Sequence, residues 1–494
     1  MRQRLTALLL VFVTLSSTSF AAGDESPAAI TIYNQQFAVV RENLNLHLTP
    51  GVSDVTVTDI TSRMEPDSVI LRPLTPGHAL QILEQNYRND PVSEGLLLSL
   101  YEGKTISFVQ PDKKIVQGKI VRSGYAGQPI PNPYGGYVQP ASEQPIIEVD
   151  GKLQFGLPGQ PLFPALAEDT ILKPTLTWKL AGSGTDTPAE FSYVTGGFNW
   201  HADYNIVAPP KGNTLLLVGW VTLQNQSGKT FHEARVKLMA GDVNKIQPES
   251  RNYVMKAAAQ AVEVDGAMQP VVREKAFDEF HLYTLQRPTT LHDQETKQVE
   301  FVRASGVNSQ SIYVYDGVKI DQNYANYGME YIRNQENYGT ASNPKVWVMQ
   351  EFKNSKENNL GIALPAGRVR FYRQDEDGQL EFTGENMIDH TPKDEMIRLY
   401  TGNSFDLVGE RRRTAYRMNS SEHWIDESFE IKVRNHKKAP VEVRVVEHLY
   451  RWTNWEVRGE SDKYRKLDSK TIEFPVSIQP DAEKVVTYTV HYSW

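Results

Sequence analysis

The sequence predicts a mainly β protein: several antiparallel β-sandwich modules of immunoglobulin-like type, with a small β-rich N-terminal domain carrying one short helix. Three observations lead there. Apolar residues recur with period two rather than 3.6, as where Leu44, Leu46 and Leu48 alternate with Asn43, Asn45 and His47. Turn clusters such as Thr49-Pro50-Gly51 separate these runs. The 494 residues suffice for roughly two to four domains.

The elements follow in chain order. Arg2 and Arg4 precede an apolar run from Leu5 to Val13, and Ser19-Phe20-Ala21 places small residues where a signal peptidase reads. Residues 1–21 are therefore expected to be a secretory signal, and the mature protein periplasmic or extracellular, with outer-membrane association an option. The run is shorter than the ~20 residues that a spanning helix needs, and no later charge-free segment reaches that length. Residues 28–123 read as the N-terminal β-rich domain. Its helix is expected over 93–102, capped by Ser93, with Leu96, Leu97 and Leu100 on one side.

Residues 124–189 read as a Pro/Gly-rich insertion or linker, because proline cannot donate to a sheet ladder. One short hairpin is expected inside it, Ile146 to Val149 and Leu153 to Phe155 around Asp150-Gly151. Residues 190–494 read as the sandwich region. Two strand–turn–strand passages stand out in it, turning near Asn225 to Lys229 and near Asn435 to Pro440. In the second, Phe429, Ile431 and Val433 alternate with Glu430, Lys432 and Arg434, the pattern of a sheet packed on one face. The two passages are expected to be related modules. Residues 245–277 read as a short helix or an excursion. The alternating strand that ends at Trp494 also fits the closing strand of an outer-membrane β-barrel, although the other strands are too short and irregular for one.

The stretches FSYVTGGFNWHADY, VTLQNQSGKTFHEARVKLMAGDVN, LPAGRVRFYRQDEDGQLEFTGENMIDHTPKDE and GNSFDLVGERRR, in that order, resemble domain-of-unknown-function family 4139, from about residue 190 to the end. That family comprises exported bacterial proteins distantly similar to mucoidy-inhibitor-like proteins. The resemblance implies a β-rich exported protein. It supplies no activity and no functional residues.

Composition narrows the partners. The chain has no Cys, which removes disulfides, thiolate metal sites and a cysteine nucleophile. The formal charge is −8, and loss of Arg2 and Arg4 with the signal takes it to −10. An acidic protein gains nothing from counterion release on DNA, so nucleic acid is not an expected partner. No cofactor and no metal site is expected, since no Gly-rich phosphate loop, G-x-S-x-G or H-E-x-x-H pattern occurs.

The candidate sites are therefore clusters without a defined motif. His390, with Asp389, Asp394 or Glu395, could form an acid–base group; the competing reading is a capped turn around Thr391-Pro392. In Asn199 to Tyr204, strand alternation puts Trp200, Ala202 and Tyr204 on a core face and His201 and Asp203 on the other. Arg411 and Arg413 in Gly409 to Arg413 suit acidic ligands, or else pair with neighbouring acids. Tyr324, Tyr327, Tyr331 and Tyr338 lie in an Asn-rich loop of paratope-like composition. The expected function is non-enzymatic binding of an envelope protein or glycan through such loops. The alternative is a hydrolase of cell-wall or extracellular polysaccharide using His390, Asp389 and Glu395.

Overall fold

The computed structural model describes residues 19–20, 27–126, 130–131, 137–138, 143–166, 170–183, 185–241, 243–245, 272–277, 280–319 and 328–494. The expected signal segment lies outside the described residues except for Ser19–Phe20, which pair in parallel with Val55 and Thr56. Strands hold 61% of the chain and helices 4%, so the protein is mainly β with several sheets, a multi-domain sandwich architecture. No helix among the described residues is long and apolar enough to cross a membrane. The chain divides into two compact units, residues 1–200 with 223–297, and residues 201–222 with 298–494.

In the first unit, strands Ala29–Tyr33, Phe37–His47 and Asp186–Gly196 lie side by side in one eight-stranded sheet, with Phe231–Ala240 added in parallel to the first. The alternation that predicts these strands also fills the core: Ile30, Ile32, Val40, Leu44 and Leu46 are buried. The expected hairpin forms between Ile146–Val149 and Lys152–Phe155, and it joins a five-stranded sheet with its own small core. Within the stretch read as insertion, residues 175–182 are a full strand of a four-stranded sheet, and strand 186–196 of the eight-stranded sheet begins there. Pro188 is accommodated within the second of these.

The helix spans Glu94–Leu100, and the Ser93 hydroxyl accepts the Leu96 amide at 3.2 Å. Its buried residue is Leu98; Leu100 is exposed. About two helical turns after the cap are too few for the predicted face to form a stripe, so the core takes the single leucine that points inward.

In the second unit, strands Gln310–Asp316, Lys345–Lys353 and Met396–Asn419 lie side by side in a nine-stranded sheet, with Val441–His448 added in parallel to the first. Trp424–Asn435, Thr471–Ile478 and Ala482–Ser493 complete the module. This repeats the order and direction of pairing in the first unit.

The repeat extends to atoms. Asn225, 2% exposed, donates its amide to the carbonyls of Lys229, Leu291 and His292 at 2.9, 3.1 and 3.1 Å. Asn435, 0% exposed, donates to those of Ala439, Ile478 and Gln479 at 3.0, 3.2 and 3.1 Å. Each amide oxygen accepts the backbone N–H two residues on, from Ser227 or Lys437. The partner strands then turn alike, through Gln294 at φ 60° and Asp481 at φ 51°. The two passages are one module used twice, each corner fixed by a buried asparagine that satisfies carbonyls at strand ends.

Candidate functional site

The second module differs from the first in its interior. Strand Trp424–Asn435 buries every second residue, and that phase places Glu427 among Ile425, Phe429, Ile431 and Val433. Along Val441 to Arg451 the same phase buries Val441, Val443, Val445, Glu447, Leu449 and Arg451. Arg411 occupies an inward position of Met396–Asn419. Four ionisable side chains thus lie inside a sheet packing, each 5% exposed or less.

They pair closely. Arg411 Nε lies 2.8 and 3.0 Å from the two Glu447 oxygens, and the Tyr488 hydroxyl donates to Glu447 at 2.5 Å. The Arg411 guanidinium also lies over the Phe429 ring, 4.0 Å from its centroid. Arg451 meets Glu427 as a bidentate fork at 3.0 and 2.9 Å, and Arg413 reaches the same carboxylate at 3.1 Å. Burial opposes the charge on Arg411, but Glu447 and Tyr488 outweigh it and hold the guanidinium more firmly protonated. Burial, then the Glu447 charge, pushes the Tyr488 phenol well above its ordinary range. Gly409 admits the buried Tyr315 ring, which a Cβ there would overlap.

The remaining donors point at one segment. Arg451 donates to the carbonyls of Ile332, Gln335 and Glu336 at 2.8, 2.6 and 2.8 Å, and to Tyr338 at 3.3 Å. Arg411 donates to Gly339 at 2.8 Å, and Arg413 to Glu336. Segment 328–341, which contains the short helix Met329–Asn334, is therefore held by its backbone from beneath. Its side chains face outward in part. Arg333 lies over two half-buried indoles, 4.6 Å from the Trp452 centroid and 5.0 Å from Trp494. Tyr331 is 40% exposed.

Of the binding candidates read from the sequence, Tyr331 lies on this surface. Tyr338 is buried, edge-on to Tyr450, and Arg411 and Arg413 belong to the internal network. Tyr324 and Tyr327 lie outside the described residues. Trp452, Trp494, Arg333 and Arg451 were not among the candidates. The signal for them was a carboxylate in core phase at Glu427 and Glu447, which demands a buried cation.

The acid–base candidates sit in a turn. Thr391 and Leu364 exchange both backbone hydrogen bonds at 2.9 Å. The buried Asn354 donates its side-chain amide to the carbonyls of Ile362 and Pro392, its backbone N–H donates to the Glu395 carbonyl, and its own carbonyl accepts the Asp394 N–H. His390 Nδ1 accepts the Ala366 amide at 3.1 Å, while Asp389 and Glu395 are exposed. Trp200, Ala202 and Tyr204 are buried, and His201 pairs with Asp203 at 3.2 Å. Asp203 also accepts from Thr222 at 3.2 Å. Among the described residues no group of three or more His, Asp or Glu side chains could hold a metal ion. Compared with models of known protein families and with curated proteins, the chain shows no match.

Proposed function

We propose that this is an exported envelope protein that works by binding rather than catalysis, and that it holds a glycan on the face formed by Trp452, Arg333 and Trp494. The observation that carries the reading is a guanidinium stacked over two indoles, on a segment whose backbone the buried Arg411 and Arg451 and the half-buried Arg413 fix in place. Aromatic faces offer large contact area to the C–H faces of sugars, and an arginine edge offers donors to their hydroxyls or carboxylates. A segment fixed before binding loses little entropy on binding. The secretory pattern of residues 1–21 and the resemblance to family 4139 support export.

Co-sedimentation of the mature chain with purified peptidoglycan and with exopolysaccharide tests this. The wild type is expected to pellet with one of them, and Arg333→Ala and Trp452→Ala to weaken binding about tenfold with unchanged thermal midpoints. Equal binding by both variants would sink the reading. Retention on an envelope extract that protease abolishes and glycosidase leaves intact would replace the glycan by a protein.

A further inference from the structure

The first unit carries a cation cluster that no acid neutralises among the described residues. Across its eight-stranded sheet, Arg235 stands opposite Ala29, and Ala29 opposite Arg41. Strands in a sheet lie about 4.8 Å apart, so the two arginines stand roughly 10 Å apart at their backbones with only a methyl group between them. Lys237 is two residues beyond Arg235 and therefore on the same face. The three side chains border a depression of about 260 Å³.

The depression has a structural cause. Strand Ala29–Tyr33 begins in mid-sheet, while its neighbours Phe37–His47 and Phe231–Ala240 run on past its first residue. The depression lies at that end of the strand, beside Pro27.

Several cations elsewhere in this unit are paired with acids. Lys173 pairs with Asp59, Lys179 with Asp54, Arg88 with Asp90 and Lys229 with Glu42. The one acid beside the depression, Glu190, is held by Arg72 at 2.9 Å. Arg41 reaches only the Thr31 hydroxyl, at 3.4 Å, and no carboxylate lies within ion-pair distance of Arg41, Arg235 or Lys237 among the described residues. Like charges gathered on neighbouring strands repel one another, and in a chain with 60 acidic residues against 52 basic ones acids were at hand to relieve them.

We infer that this depression binds a phosphate-type oxyanion between Arg41, Arg235 and Lys237. Two planar guanidinium forks and a compact ammonium match the several acceptor oxygens of such a group. The volume lies below the ~300–1,000 Å³ of sites that enclose drug-sized ligands, so the site takes one charged group rather than a whole large ligand. The inference is independent of the glycan reading, since its residues belong to the other unit.

Calorimetric titration of the mature chain with inorganic phosphate, and flotation with phosphatidylglycerol vesicles, test it and separate a free anion from a lipid headgroup. The double variant Arg235→Gln/Lys237→Gln is expected to lose at least tenfold in phosphate affinity with an unchanged thermal midpoint. Lys211→Gln, which removes one positive charge at a residue 87% exposed elsewhere, is expected to bind as wild type. Vesicle flotation that the double variant loses and free phosphate competes away assigns the anion to a headgroup. Phosphate heats no larger than those of chloride, or a double variant that binds as wild type, overturn the inference.

Discussion

The module cornered by Asn225 and the module cornered by Asn435 share a frame and differ inside it. Leu217 stands eight residues before the first asparagine, and Glu427 eight before the second. Phe301 stands ten residues after Leu291, and Tyr488 ten after Ile478. Leu238 and Glu447 occupy the matching inward position of the following strand, once the irregular step between Phe231 and Ala234 is allowed for. All of these are buried. At the positions equivalent by their spacing from the two corners, the chain thus has leucine, leucine and phenylalanine in the first case and two glutamates and a tyrosine in the second.

The difference has a counterpart in connection length. Tyr33 and Phe37 are joined by a three-residue turn and stack at 4.2 Å. The matching strands of the second module, Gln310–Asp316 and Lys345–Lys353, enclose residues 317–344, which include the clamped segment. An apolar core suffices for a tight hairpin. An insertion with exposed backbone carbonyls needs donors from below, and buried arginines need carboxylates to stay charged. The ionic interior exists to hold the insertion.

Glu427→Ala breaks the comparison hardest. It leaves the Arg451 charge without its carboxylate, at a cost of about 3–5 kcal/mol. Denaturant unfolding should show that loss, and limited proteolysis should cut within 328–341. Leu217→Ala should destabilise by about 2–5 kcal/mol as a cavity without exposing that segment. Cleavage unchanged in the first variant would contradict the clamp.

The two corners should behave alike. Asn225→Ala and Asn435→Ala each orphan buried carbonyls, for about 2–4 kcal/mol at 1–3 kcal/mol per unsatisfied group. Losses that differ by more than about 2 kcal/mol would deny that the corners are equivalent.

A smaller effect is expected with pH. Burial lowers the His448 pKa, but the hydrogen bond to Asp316 at 2.8 Å and its charge outweigh that, so the imidazole sits above its ordinary value. A raised folded value means the contribution is complete below about pH 6.5 and fades as pH rises through the folded value. Its size is at most about 1 kcal/mol. His448→Gln should flatten that part of the stability–pH curve, and an unaltered curve would remove the pair from the account.

The smallest change in stability should follow Arg411→Met/Glu447→Leu/Tyr488→Phe, which gives the second module an interior like that of the first. Apolar replacement of a whole buried ion pair is often neutral or mildly stabilising. Protease should nevertheless reach the segment sooner, because Gly339 loses its donor. A segment as resistant as wild type would mean that Arg451 and Arg413 alone suffice.

The strands were legible because half-buried sheets write their phase into the chain, as at Phe429, Ile431 and Val433. Continued two residues back, that phase reaches Glu427, and the anomaly was visible without its partner. Arg451 was not, since its contacts to residues 332–338 span more than 110 positions. Tyr338 and Tyr331 are alike in composition, yet one is buried and the other exposed. Only the path of the backbone over the arginines distinguishes them. The strands at 175–182 and 186–196 were hidden by neighbouring prolines, which bar a central ladder but not a position such as Pro188.

The clamp also imposes an order of events. The ribosome completes segment 328–341 more than a hundred residues before it adds Arg451. A growing chain therefore carries the segment as loose thread, and fastens it only when the last strands arrive. A nascent polypeptide halted anywhere short of that arginine holds the thread without the knot.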